Sequence, residues 1–214
     1  DIMKKLFTSE SVTPGHPDKL CDKIADMILD AYLKEDSSSR VAVEVCAHKN
    51  GIVVMGEVTS KAKIDIERIV RNTIIDVGYD NDNLGFNGNN VKVSININTQ
   101  SNDIAMGVNT SSDSKLLGAG DQGMMFGYAT DETENFMPYS IYLANKLSEK
   151  LYNAFKTKKI PYLRPDGKTQ VTICYIDDVP KYVDTIVISA QHDEIDLDTL
   201  RKDIKEKSKE MSCR

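Results

Sequence analysis

A glycine-rich segment built around a carboxylate is the first place in this sequence where chemistry is expected. Four glycines fall within ten residues of LLGAGDQGMMFGYATDE, at 116–132, and Asp121 lies among them. Glycine-rich loops often cradle phosphate, but they then lie between a strand and a helix or end in a lysine. Neither pattern occurs here. A carboxylate on a glycine-lined loop can bind an ammonium group, so the segment predicts a site for a small zwitterion or cation.

A second candidate site is the sequence His16-Pro17-Asp18, at the predicted start of a helix. The N-terminus of a helix presents free N–H groups and a partial positive charge, which attract phosphate. His16 could donate a hydrogen bond to a phosphate oxygen, and Asp18 could hold Mg²⁺. The alternative is simple capping, because an acid in the first helical turn is common for dipole reasons alone.

Two glutamates form a third candidate. The run RVAVEVCAHKNGIVVMGEV at 40–58 predicts a β-hairpin that turns at Asn50-Gly51. In that register Glu44 lies directly opposite Glu57. Two carboxylates facing each other across a strand pair repel unless a cation lies beside them, so the pair predicts a metal or ammonium site. The alternatives are a bulge that shifts the register, or two acids that lie apart in solvent.

The sequence Pro165-Asp166-Gly167 predicts a turn, and Lys168 opens the strand that follows it. Lys168 could be a phosphate ligand, although a lysine after a turn is more often only solvated. The stretch RKDIKEKSK at 201–209 alternates basic with acidic residues and is typical of a solvated helix face.

The elements that must position these residues follow from hydrophobic periodicity. Helical patterns begin near 17, 66, 138 and 197, and strand patterns lie near 6–7, 41–47, 52–58, 91–97, 124–128, 171–176 and 184–191. Both halves therefore have the order β-α-β-β-α, and the first half continues into a further strand. This pattern predicts an α+β protein of two similar units, each with an antiparallel sheet backed by helices. We place the N-terminal unit at 1–102, a linker or gating loop at 103–115 and the central unit at 116–214.

Composition is that of an ordinary soluble protein. Hydrophobic residues make up 40% of the 214 residues, and the net charge of −6 argues against a nucleic-acid partner. No apolar run has the length of a membrane span or of a secretory signal, so we expect a cytoplasmic protein without a membrane partner. The four cysteines include no CxxC pair, which argues against a disulfide or a zinc site.

Five segments occur in the order found in S-adenosylmethionine synthetases, also called methionine adenosyltransferases: FTSESVTPGHPDKLCDKIADMILD, INTQSNDIAMGV, GAGDQGMMFGYATDE, LRPDGKTQVT and ISAQH. The chain resembles this family over essentially its whole length, and GAGDQGMMFGYA is a highly specific signature. The resemblance implies an enzyme that joins ATP and L-methionine and then hydrolyses the tripolyphosphate to pyrophosphate and phosphate. It also implies Mg²⁺ and K⁺ as cofactors, and a homodimer, or a tetramer, with sites shared between subunits.

The resemblance also implies roles for individual residues. The residues implied for ATP binding are His16, Ile104, Asp166, Gly167 and Lys168. Of these, His16 and Lys168 are the implied catalytic residues, and Ile104 belongs to the family's mobile gate. The residues implied for methionine binding are Glu57, Gln100 and Asp121, the last near the ammonium group. Asp18 is implied as a ligand of Mg²⁺ and Glu44 as a ligand of K⁺.

The family has a third unit that carries further Lys and Arg residues for the polyphosphate, and this sequence contains no such unit. We therefore expect a parent protein that is a methionine adenosyltransferase and a 214-residue chain that is inactive alone. The alternative is a non-catalytic binding or interaction module that keeps the same scaffold.

Overall fold

The computed structural model describes residues 3–99 and 123–209 of the chain. The chain divides into two compact units. The first unit combines the residues up to 20 with 74–87 and with the chain from 129 onward, and the second combines 21–73 with 88–128. Three predicted site residues, Gln100, Ile104 and Asp121, lie outside the described residues, as does the predicted linker at 103–115.

Six strands and four helices are present in the described ranges. The strands are β1 (Lys4–Val12), β2 (Arg40–His48), β3 (Gly51–Thr59), β4 (Lys92–Asn98), β5 (Leu163–Ile176) and β6 (Val179–His192). The helices are α1 (Pro17–Glu35), α2 (Ile66–Val77), α3 (Tyr139–Lys156) and α4 (Leu197–Lys209), with a short 3-10 helix at Asp82–Leu84. The six strands form two three-stranded sheets, β1-β5-β6 and β2-β3-β4. The predicted α+β class with sheets backed by helices is confirmed.

The first strand of the chain belongs to the sheet of the second half. β1 pairs antiparallel with β5, from Lys4↔Ile176 to Val12↔Lys168, and β5 pairs antiparallel with β6. The strand predicted at 124–128 is wrong, because these residues form no regular structure. Met125 and Phe126 are 89% and 91% exposed, although a short apolar run between glycines is typical of a buried strand. Thus β1 completes the sheet that the sequence pattern assigned to 124–128.

Helix α3 packs closely against β1 and β5. Ala144 and Leu147 of the helix form a core cluster with Val171 and Ile173 of β5. Small residues on the same helix face allow hydroxyl contacts with β1: Ser9 hydrogen-bonds Ser140 at 2.8 Å, and Ser11 hydrogen-bonds Ser148 at 2.9 Å. A neighbouring cluster of Leu151, Ala154, Phe155, Ile160, Leu163 and Leu200 joins the end of α3 to α4.

The sheet β2-β3-β4 contains one parallel pair, a departure from the antiparallel pairing expected. β2 and β3 form the predicted antiparallel hairpin, whereas β3 and β4 run parallel. The reason is that α2 separates these two strands, and a helical crossover returns the chain to the same end of the sheet. One face of the sheet buries Ile52 and Val54 completely, and the other exposes Glu44.

None of the helices in the described ranges combines the length and hydrophobicity needed to cross a membrane.

Candidate active site

The loop between β1 and α1 is fixed to β5 by backbone contacts. The amide of Thr13 donates to the carbonyl oxygen of Gly167 at 2.9 Å, and the Thr13 hydroxyl donates to the carbonyl oxygen of Pro165 at 2.8 Å. A Cβ atom at Gly15 would lie 2.5 Å from three atoms of Pro165, two of them backbone atoms. The close approach of the two segments therefore requires glycine at position 15.

The turn predicted at Pro165-Asp166-Gly167 is wrong, because these residues lie inside β5. Pairing with β6 shifts between Leu163↔His192 and Gly167↔Ala190, so β5 bulges at this point. β5 is the central strand of its sheet, where a proline is tolerated at a bulge because it has no N–H to donate. The bulge therefore accommodates the turn-forming residues without ending the strand.

His16 caps the first turn of α1. Its ring Nδ1 accepts a hydrogen bond from the amide of Asp18 at 3.2 Å, and the side chain is 21% exposed. With Nδ1 acting as an acceptor, the neutral ring carries its proton on Nε2, which is then free to donate. The capping and phosphate-donor interpretations of the sequence are thus compatible, because they use different nitrogens.

Asp166 is a half-buried carboxylate beside this helix end. Burial raises its pKa above the usual value for an aspartate, and the charge that His16 carries when protonated, the amide of Gly167 and the charge of Lys168 oppose that shift. Tyr79 lies close by, because its hydroxyl donates to the carbonyl oxygen of Gly15 at 2.7 Å. Burial raises the pKa of Tyr79, and the charge of Asp166 raises it further.

Lys168 is half-exposed and lies 3.5 Å from a carboxylate oxygen of Glu10 on the neighbouring strand β1. Sequence patterns assign no role to Glu10 or Tyr79. Glu10 lies in the family segment at 7–30 and Tyr79 lies in none of the five segments, and the pairing of β1 with β5 is what places Glu10 beside Lys168. The structure therefore brings His16, Asp166, Gly167 and Lys168 together in one unit.

Asp18 points its carboxylate into solvent, with 84% of the side chain exposed and 3.7 Å between an oxygen and Nδ1 of His16. Within the described ranges, no three His, Cys, Asp or Glu residues cluster in a way that could hold a metal ion. Mg²⁺ usually takes one or two protein carboxylates and completes its octahedron with water and substrate phosphates. A single exposed carboxylate at a helix N-terminus fits that mode of binding.

Glu44 and Glu57 lie in the other unit, on β2 and β3. The predicted direct pairing is wrong: Glu44 lies opposite Met55, and Glu57 lies opposite Ala42. The two carboxylates share one sheet face as diagonal neighbours, whose Cα atoms are typically about 7–8 Å apart. Carboxylates at that distance repel each other only weakly, so their repulsion gives no reason to expect a cation between them. An exposed Glu44 still offers oxygen ligands of the kind that K⁺ takes.

The register differs because the turn consists of Lys49 and Asn50, with His48 paired to Gly51. A Cβ atom at Gly51 would lie 2.5 Å from the ring of His48 and 3.1 Å from the carbonyl oxygen of Lys92. A side chain at this position would have to displace the His48 ring and would crowd the backbone of Lys92, so the sheet favours glycine here, and Gly51 is not a turn residue.

Comparison with known proteins identifies both halves of the chain. The N-terminal domain of S-adenosylmethionine synthetase matches residues 4–102, and the central domain of the same enzyme matches residues 116–213. The chain is 52% identical over 213 residues to the S-adenosylmethionine synthase of Clostridium botulinum, covering 95% of this chain and 54% of the relative. It is 55% identical over 214 residues to that of Nocardia farcinica, with 95% and 53% covered.

The S-adenosylmethionine synthase of Finegoldia magna is 48% identical over 213 residues, with 95% of this chain and 54% of the relative covered. The chain thus spans about half the length of the curated relatives it matches. Together the two domain models span nearly all of its residues, so the chain belongs to the S-adenosylmethionine synthetase family.

Proposed function

We propose that this chain forms part of a methionine adenosyltransferase, which makes S-adenosylmethionine, phosphate and diphosphate from ATP and L-methionine. One observation carries the proposal: Asp166 interacts electrostatically with His16, at the N-terminus of α1, and with Lys168, in a chain of this family. Such a cluster offers hydrogen-bond donors and positive charge to a polyphosphate.

The reaction sets the demands on these residues. The methionine sulfur forms a bond to C5′ of ATP as the bond between C5′ and the triphosphate oxygen breaks, and the electron pair leaves with the triphosphate. A neutral thioether is a modest nucleophile, so catalysis depends on alignment and on stabilising the polyanion that leaves. We assign that stabilisation to Nε2–H of His16 and to the ammonium group of Lys168.

Asp166 and Gly167 complete the proposed ATP site, and Ile104 contributes to it from the gate. Asp18 would hold Mg²⁺, which when bound neutralises charge on the phosphate oxygens. Glu44 would hold K⁺. The proposed methionine ligands are Glu57, Gln100 and Asp121.

We further propose that the family units are 1–102 and 116–214, joined by a linker at 103–115, and that the enzyme is a cytoplasmic homodimer, or a tetramer. The matched domains support these bounds. The compact units divide the chain differently, because β1 pairs with β5 and β6.

The test measures phosphate release and S-adenosylmethionine formation with ATP, L-methionine, Mg²⁺ and K⁺. We expect the 214-residue chain, which spans 54% of the Clostridium botulinum relative, to be at least about 100-fold slower than that full-length enzyme. The reason is that the loss of a single oxyanion donor already lowers a rate by about that factor. If the rates of the two proteins lie within about tenfold of each other, a difference of about 1.4 kcal/mol in activation free energy, the expected inactivity of the chain alone is contradicted.

Binding supplies a second readout. We expect calorimetry to detect tripolyphosphate binding by the chain, and Lys168→Met to weaken it, while the exposed Lys181→Met on β6 serves as the control. Equal effects of the two substitutions would contradict the proposed site. ATP and methionine binding without turnover in the complete protein would favour a non-catalytic module.

A further inference from the structure

A cleft lies in the first unit, and its lining includes none of the residues assigned to the proposed ATP, methionine or metal sites. Its volume is about 550 Å³, within the range of small-molecule sites. One wall is formed by the end of α2 and the segment after it, from Ile75 to Leu84. The other is formed by the end of α3 and the segment that leads into β5, from Phe155 to Arg164, and Asp193 completes the lining.

Two hydrogen bonds hold these walls in place. The hydroxyl of Tyr152 donates to the carbonyl oxygen of Val77 at 3.0 Å, and Nζ of Lys156 donates to the carbonyl oxygen of Asp76 at 2.7 Å. Gly78 has φ of +118°, and a Cβ atom there would lie 2.6 Å from the ring of Phe155. The contact between the two helix ends is therefore built into the fold, and the cleft is preformed.

Lys158 has an unusual backbone conformation for its residue type. It follows the end of α3 with φ of +57°, where glycine or asparagine is usually found. Its Nζ lies 4.8 Å from the ring centroid of Phe155, so the charge is held against the cleft wall. A lysine at a position that disfavours side chains is a reason to look for a role for its charge.

Arg164 is the third basic residue of the lining, and it lies in the bulge of β5. Its Nε donates to Oδ1 of Asp193 at 2.7 Å, and its side chain is 24% exposed. The two terminal nitrogens of Arg164 make no hydrogen bond to any residue in the described ranges. A guanidinium fixed through Nε presents those two nitrogens as a planar fork, the geometry that binds carboxylate or phosphate bidentately.

The charges of the lining favour an anion. Lys156, Lys158 and Arg164 supply three positive charges, against the carboxylates of Asp80 and Asp193. The pairing of Asp193 with Arg164 offsets one charge of each sign, so the two lysines exceed Asp80 by one and the lining carries a net charge of +1.

We propose that this cleft binds a small organic molecule through a phosphate group, which the fork of Arg164 grips while Lys156 and Lys158 balance its charge. Phosphate can offer two oxygens to the Arg164 fork and still has further oxygens for a lysine, whereas a carboxylate has only two oxygens. The lining shares no residue with the proposed ATP site, and the proposal does not depend on the proposed activity.

The test is an NMR titration of the ¹⁵N-labelled chain with inorganic phosphate at constant ionic strength, with acetate as the carboxylate probe. We expect phosphate to shift the amide signals of Gly78 and Lys158. Arg164→Gln should weaken that response at least about tenfold, because charge-assisted hydrogen bonds contribute about 1.5–3 kcal/mol and 1.4 kcal/mol is tenfold. Lys168→Met, in the proposed ATP site, should leave it unchanged.

Lys158→Asn guards against a folding artefact, because asparagine tolerates the left-handed conformation while removing the charge. We expect this variant to melt at an unchanged temperature and to bind phosphate more weakly. The proposal is overturned if phosphate fails to shift Gly78 and Lys158, if Arg164→Gln and Lys168→Met act alike, or if acetate binds as well as phosphate.

Discussion

Asp166 is a half-buried carboxylate of the candidate site whose ionisation affects the stability of the fold. Burial raises the pKa of Asp166, so the folded state holds this proton more tightly than the unfolded state does. The corresponding stability is fully present below the unfolded pKa of about 3.9 and is lost as pH rises through the raised pKa. At neutral pH the ionised Asp166 therefore destabilises the protein.

We accordingly expect Asp166→Asn to be more stable than the parent chain at about pH 7, and this advantage to shrink as pH falls towards about 4. The asparagine cannot ionise, so position 166 of the variant contributes no pH dependence, while the other carboxylates contribute equally to both proteins. Urea unfolding at several pH values measures the difference. A difference in midpoint that stays constant with pH would contradict the assignment.

Gly15 provides a test of the close approach between the β1–α1 loop and β5. Gly15→Ala places a Cβ atom 2.5 Å from backbone atoms of Pro165, and Thr13 prevents the segments from separating. We expect a loss of about 1–3 kcal/mol in the free energy of unfolding, as for other overpacked sites. Gly127→Ala is the matched control, because no atom lies within 4 Å of its Cβ position. A similar loss in both variants, measured by denaturant unfolding, would refute this account.

At the scale of elements, α3 and β1 are joined by hydroxyl pairs as well as by apolar contacts. Ser11 and Ser148 are both buried and hydrogen-bond each other at 2.9 Å. Their hydroxyls meet because β1 pairs with β5, which places Ser11 of β1 beside helix α3.

We expect Ser11→Ala or Ser148→Ala alone to cost about 1–3 kcal/mol, because each leaves a buried hydroxyl without this partner. The double variant should cost less than the sum of the two, with a coupling of about 0.5–3 kcal/mol. Unfolding of the four proteins of this double-mutant cycle measures the coupling. Additive effects would show that the hydroxyls do not depend on each other.

At the scale of the whole molecule, each compact unit has its own core. Ile173 of β5 is fully buried in one unit, and Ile28 of α1 is fully buried in the other. We expect Ile173→Ala and Ile28→Ala each to lower the free energy of unfolding by about 2–5 kcal/mol.

The exposed controls are Ile186→Ala in the first unit and Met27→Ala in the second, where the side chains are 48% and 43% exposed. These should cost less than about 1 kcal/mol, since little apolar surface is lost from the core. Denaturant unfolding measures all four variants. Equal losses in a buried variant and its control would mean that the core of that unit is wrongly identified.

Local sequence patterns determined most of the elements. Pro17 at the start of α1, the end of α2 before Gly78 and the hairpin of β2 and β3 all follow from residues close together in the chain. These inferences hold because helix periodicity, capping and strand alternation depend on neighbouring residues.

Only the tertiary structure decided which strands pair and in which register. β1 joins β5 across more than half of the chain, which places Glu10 beside Lys168, and Gly51 is fixed by His48 and Lys92 instead of by a turn. The same packing draws Asp166 into a bulge, where a local pattern predicts a turn. Turn and strand preferences are worth about 1 kcal/mol or less, so burial and long-range pairing override them.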